Sequence, residues 1–189
     1  MEIILASKSP RRQELIKGLE LKYRVYTYEV DESFDGNLVR AEIPEYLAKK
    51  KAQAYDLPLQ DEEVLITADT IVWVNHQVLN KPETESEALE MLKTICGNSH
   101  EVFTGVCIRT KDITHVFSER TEVFCNTMTD EELLHYIRNY QPYDKAGSYG
   151  IQDWFGYSAV ERINGCFYNV MGLPVNRLKK ELKLLNLIT

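Results

Sequence analysis

The chain has 189 residues, 44% hydrophobic and 27% charged, the composition of an ordinary globular protein. At that length folding buries roughly 70% of the unfolded surface, so no disulfide or metal staple is needed. The net charge of -7 excludes a general nucleic-acid binder, which needs a broad basic face, but permits a local Arg and Lys cluster that focuses positive potential on a small anion.

Ile3 to Ala6 reads as a short buried strand, and Ser9-Pro10 opens a helix with Ser9 as N-cap and Pro10 at the first helical position. Leu15, Ile16 and Leu19 give that helix an apolar stripe. Tyr23 to Val30 alternates like a strand, 31–41 is a polar loop, and Pro44 starts a helix carrying Leu47, Ala48, Ala52 and Tyr55. Val64 to Val74 is a strong strand, apolar apart from Thr67, Asp69 and Thr70. Asn75-His76 turns into a short strand, Gln77 to Leu79. Thr84 to Glu87 is a capping box before a helix with Leu89, Leu92 and Ile95, which Gly97 ends.

Two strands follow near 101–109 and 114–125. A second capping box, Thr129 to Glu132, precedes a helix with Leu133, Tyr136 and Ile137. A loop over 140–153 holds Pro142, Gly147 and Gly150, Asn164-Gly165 signals a hairpin, and Pro174 opens a last helix with Val175, Leu178, Leu182 and Leu185. Alternating strands and helices indicate an α/β fold, and the absence of linkers and repeats points to a single domain over residues 1–189. No apolar run approaches the ~20 residues of a membrane span, and the first apolar stretch is too short for a signal peptide. The expected location is therefore the cytoplasm, with no membrane partner. Cys96, Cys107, Cys125 and Cys166 form no zinc pattern and read as reduced thiols.

Chemistry concentrates in a few places. Ser7-Lys8-Ser9-Pro10-Arg11-Arg12 sets hydroxyls and guanidiniums where a strand meets a helix N-terminus, a natural anion site. Taken alone it reads as readily as a capped helix with solvated arginines. Asp69 is a carboxylate inside an apolar strand, costly unless paired with a cation such as Lys81 or a metal. Removing its charge is expected to leave the fold intact, and even to stabilise the ligand-free chain. Lys81-Pro82 follows the hairpin, Asp31-Glu32 ends a strand, and at most one of Lys49, Lys50 and Lys51 can point into any one cleft. In the loop from Lys145 to Gln152, Tyr149 is placed to stack on a base and Gln152 to pair with a base edge.

Together with Leu5-Ala6, Val30, Leu47-Ala48, Ala52, Ala68 to Thr70, Thr104 to Val106 and Asn169 to Pro174, these stretches resemble, in order along nearly the whole chain, the Maf proteins, nucleoside triphosphate pyrophosphatases. The resemblance implies an elongated mixed β-sheet with flanking helices and two lobes around a central cleft. It also implies cleavage between the α and β phosphates. It assigns catalysis to Asp69, a divalent metal (Mg²⁺ or Mn²⁺) to Glu32 and Asp69, phosphate binding to Arg11, Arg12, Lys51 and Lys81, and hydroxyl positions to Ser7 and Ser9. Specificity positions fall on Arg12, Thr70 and Gln152, and the Lys145–Gln152 loop resembles the dTTP- and UTP-preferring subgroup. The partner is then a small-molecule nucleoside triphosphate, with a homodimer left open. Two alternatives stand beside this expectation: a non-catalytic nucleotide-binding regulator of cell division, and a purine pyrophosphatase acting on 7-methyl-GTP or ITP. The chain departs from the common pattern at Asp153-Trp154-Phe155 and at Cys166.

Overall fold

The computed structural model describes residues 1–189. Its elements are, in order, β1 (Glu2–Ala6), α1 (Pro10–Lys17), β2 (Tyr23–Tyr26), α2 (Glu42–Gln53), β3 (Glu63–Val74), β4 (Gln77–Leu79), α3 (Glu85–Ile95), β5 (Ser99–Arg109), β6 (Thr114–Cys125), α4 (Asp130–Tyr140), α5 (Trp154–Ser158), β7 (Val160–Asn164), α6 (Phe167–Met171) and α7 (Val175–Leu184). Seven strands form one mixed sheet in the order β2-β1-β3-β5-β6-β7, with β4 paired to β3. β1 runs parallel to both β2 and β3, whereas β4 lies antiparallel to β3 and β7 antiparallel to β6. No helix is long and apolar enough to cross a membrane.

The chain forms two compact units. The first comprises Met1–Asp69, Thr104–Glu119 and Gly172–Thr189. Its core gathers Ile4, Ala48, Ala52, Tyr55, Leu59, Leu65 and Cys107, with Tyr26 and Tyr28 packed against them. These are the apolar faces of β1, α2, β3 and β5, as a helix laid on a sheet requires. Gly105 lets α2 lie this close, because a Cβ there would stand 2.3 Å from the Pro44 backbone. The second unit comprises Thr70–Phe103 and Arg120–Met171. Ala88, Leu92 and Ile95 of α3 and Leu133, Tyr136 and Ile137 of α4 are buried there.

Several local expectations need correcting. The alternation from Tyr23 to Val30 stops being a strand at Tyr26. α2 starts at Glu42, not Pro44, because a proline in the first turn lacks only an N–H that the helix would leave unbonded anyway. The capping box at Thr84 is half formed: Thr84 Oγ1 accepts from the Glu87 N–H, but the Glu87 carboxylate accepts from the Glu83 N–H instead. The box at Thr129 is complete. Asn164-Gly165 makes no hairpin. β7 already pairs with β6, and the chain continues into α6. Gly165, at φ 136°, passes so close to β6 that a Cβ would lie 2.7 Å from Thr121 Oγ1. The 140–153 stretch contains two short 3₁₀ turns, Pro142–Asp144 and Ala146–Ser148.

Candidate active site

In the first unit the predicted residues converge on Asp69. Asp69 is only 8% exposed on β3. Lys51 of α2 pairs with it, its Nζ donating to Asp69 Oδ1 at 2.6 Å. The same ammonium lies 2.7 Å from Glu32 Oε1. Two carboxylates 37 residues apart in sequence numbering thus point at one cation position. The neighbouring lysine of α2 faces elsewhere: Lys50 Nζ donates to Asp31 Oδ2 at 2.9 Å and to the Ser33 carbonyl at 2.9 Å. Lys49 is exposed. Helical geometry separates the three lysines, as anticipated.

Arg12 sits beside this cluster. Its Nε donates to the Gly172 carbonyl at 2.8 Å and its Nη1 to the Ala68 carbonyl at 2.9 Å, which fixes the guanidinium plane. Burial pushes the Arg12 pKa down, while the charges of Asp69 and Glu32 pull it back up. Ser9 caps α1, accepting from the Arg12 N–H at 3.5 Å, and Ser7 Oγ accepts from the Ser9 N–H at 3.2 Å. Both hydroxyls therefore face the helix start that carries Arg11 and Arg12.

The sequence reading missed the groups that set the height of Lys51. Thr67 Oγ1 donates to the Ala48 carbonyl at 2.6 Å, Tyr28 Oη to the Lys51 carbonyl at 2.5 Å, and Arg109 Nη1 to the Ala52 carbonyl at 2.6 Å. Three side chains from other segments thus pin one stretch of α2. Thr67 carried a visible signal, a fully buried polar residue two places before Asp69 in an apolar run, where a hydroxyl must find a partner.

The remaining predicted residues lie in the second unit. Thr70 is half-buried on β3, and Lys81 is exposed beyond the β3–β4 hairpin. That hairpin turns through Asn75 and His76, at φ 49° and 63°. The Asn80 carbonyl accepts from the Gly147 N–H at 3.1 Å, which ties the backbone next to Lys81 to the loop bearing Gln152. Gln152 Oε1 is buried with no hydrogen-bond partner. Tyr149 does not serve as a stacking surface. It is buried, its hydroxyl lies 2.6 Å from His100 Nε2, and its ring packs on Phe155. An aromatic in a glycine-bearing loop looks the same in sequence whether it faces a ligand or the core.

A carboxylate paired with a lysine, a fixed arginine and a capped helix start are the parts for handling a polyanion. A dTTP/UTP pyrophosphatase of Bacteroides thetaiotaomicron is 51% identical over 183 residues, covering 96% of this chain and 95% of that protein. One of Porphyromonas gingivalis is 46% identical over 185 residues, covering 96% of this chain and 93% of that protein. The solved Ham1 protein of Staphylococcus aureus overlays with a TM-score of 0.46 at 17% identity, across 66% of this chain and 72% of that one. The Maf-like protein family model matches residues 2–185, and with relatives this similar over almost the full length the chain belongs to the Maf family.

Proposed function

We propose that the chain is a nucleoside triphosphate pyrophosphatase that hydrolyses dTTP and UTP to the monophosphate and pyrophosphate, working as one Maf-like domain over residues 1–189. The relatives that bear that name support the reaction, and the Glu32–Lys51–Asp69 cluster is the observation that carries it. Water attacks the α-phosphorus, the bond from that phosphorus to the bridging oxygen breaks, and pyrophosphate leaves. Asp69 accepts the proton of the attacking water. Lys51, Lys81, Arg11 and Arg12 neutralise the charge that builds on the triphosphate, and Ser7 and Ser9 donate to its oxygens.

The donor set suits a hard divalent cation. Glu32 and Asp69 supply two carboxylates converging on a position that already holds positive charge, and Mg²⁺ or Mn²⁺ takes one or two carboxylates together with substrate phosphates. Such an ion, held by Glu32 and Asp69, supplies charge neutralisation at the phosphates.

Base preference rests on Gln152, with Thr70 and Arg12 as further specificity positions. A buried amide oxygen without a donor is costly until something donates to it. The N3–H of thymine or uracil does so, while O4 accepts from the same amide. Cytosine reverses both groups. The test is a nucleotide panel with Mn²⁺ in which pyrophosphate and orthophosphate are measured separately. Pyrophosphate release fastest from dTTP and UTP is expected. Orthophosphate release, or equal rates on CTP and UTP, overturns the proposal.

A further inference from the structure

The turn that carries Gln152 is held from both sides by one tyrosine hydroxyl. Tyr136, fully buried on α4, accepts at Oη from the Gly150 N–H at 3.0 Å and donates to Asp153 Oδ2 at 3.4 Å. Gly150 and Asp153 are themselves joined, since the Gly150 carbonyl accepts from the Asp153 N–H at 3.1 Å. Gln152 lies between these two anchored residues. Lys145, at the start of the loop, places its Nζ 3.6 Å from Asp153 Oδ2 and 2.9 Å from Asp144 Oδ1. The clamp closes over Gly150 so tightly that a Cβ there would meet Asp153 Oδ2 at 2.4 Å and the Lys145 Cε at 3.1 Å. The Tyr136 ring packs on Tyr140, Trp154 and Phe155, so the hydroxyl has little freedom.

We propose that Tyr136 is a positioning residue for base selection: its hydroxyl, shared between Gly150 and Asp153, fixes the turn that aims the Gln152 amide. This rests on the reading of Gln152 given above. Burial raises the Tyr136 pKa, so the hydroxyl keeps its proton and remains a donor to Asp153 while accepting from Gly150. The aim of an amide matters because recognition of N3–H and O4 together needs both of its ends in register. A shift of the turn by a fraction of an ångström weakens the pairing with uracil. It costs cytosine nothing, because cytosine has no such pairing to lose.

The experiment measures kcat/KM on UTP and CTP for wild type, Tyr136→Phe, Asp153→Ala, Asp153→Asn and Gln152→Ala. Tyr136→Phe keeps the ring packing and removes only the hydroxyl. Its UTP-to-CTP ratio is expected to fall about tenfold, the scale of one lost hydrogen bond, through KM for UTP. Asp153→Ala, at a partly exposed side chain, should lower the ratio about threefold. Asp153→Asn, which still accepts from Tyr136, should restore it. If Tyr136→Phe does not fold, the two Asp153 variants decide by the same ratio. A purely structural role lowers activity on both nucleotides alike and leaves the ratio at the wild-type value, and that result overturns the assignment. If Gln152→Ala collapses the ratio while Tyr136→Phe keeps it, the positioning role is wrong and the Gln152 reading survives. If Gln152→Ala also keeps it, the Gln152 reading fails and the positioning role fails with it.

Discussion

Asp69→Asn separates chemistry from structure. In ligand-free protein Asp69 is buried, and its carboxylate holds the Lys51 ammonium at 2.6 Å. Removing one partner of a buried ion pair costs ~3–5 kcal/mol when the other charge is stranded. Lys51 is not stranded, because Glu32 stays 2.7 Å away and is half-exposed to solvent. Asn also keeps the volume and still accepts a hydrogen bond. The expected loss is therefore smaller, about 1–2 kcal/mol, or roughly 2–8 °C in Tm for a chain of this length. This reverses the sequence-based expectation that deleting the Asp69 charge would stabilise the ligand-free chain, because that expectation did not include the Lys51 pairing. Turnover should fall far more, by about 10²–10⁴-fold, the contribution of a positioned general base. Tm and pyrophosphate release are measured on one preparation, with and without Mn²⁺. Mn²⁺ should raise the wild-type Tm by binding the native state and should do so less in the variant. A folded Asp69→Asn protein that keeps a tenth or more of wild-type kcat refutes the catalytic role.

Three further outcomes are expected. Excess EDTA should abolish turnover and added Mn²⁺ should restore it, and full activity in EDTA removes the metal from the mechanism. Lys81→Ala should cut kcat/KM on UTP by about 10²-fold, the scale of a charge-assisted contact in a transition state, with Tm unchanged because the side chain is exposed. A loss under threefold makes Lys81 a solvated loop residue. The third outcome concerns pH. Burial pushes the pKa of His100 down to about 4, from ~6.5 in the unfolded chain. Between those values the unfolded state binds the extra proton, so stability is full above ~6.5 and drains as pH falls to about 4. The loss is on the order of 3 kcal/mol. Denaturant melts from pH 7 to 4 should show that slope in wild type and lack it in His100→Gln, and equal slopes defeat the assignment.

What could be read from the sequence, and what could not, divides along physical lines. Asp69 was legible because it breaks a pattern. A carboxylate inside the apolar run of β3 has to be compensated, whatever the fold. Helix starts at Ser9 and Thr129 were legible because the capping groups lie three residues from the N–H groups they satisfy. The strand and helix order followed from periodicities that need only neighbouring residues. That Lys51 is an ion-pair partner of Asp69 was not legible: the sequence offered a metal or Lys81 for that place and did not single out Lys51.

The reason lies in what fixes Lys51. Three adjacent lysines on α2 offer the same charge, and only the rotation and height of the helix decide which one meets Asp69. Those are set by Thr67 from a separation of 19 residues, by Tyr28 from 23 and by Arg109 from 57. Gly105, which admits α2 against β5, meets Pro44 across a longer separation still. The Asn164-Gly165 signal failed for the same reason. A two-residue turn is a local preference, but Thr121 captures this one across 45 residues, accepting from the Cys166 N–H and donating to its carbonyl. Tyr149 went astray because His100, 49 residues away, turns its hydroxyl into the core. The Asn164-Gly165 and Tyr149 misreadings are thus places where long-range hydrogen bonds outweighed a local preference worth about as much. Such contests turn on about 1 kcal/mol each way. A sequence pattern shows that a polar group needs a partner, and the fold supplies which partner it gets.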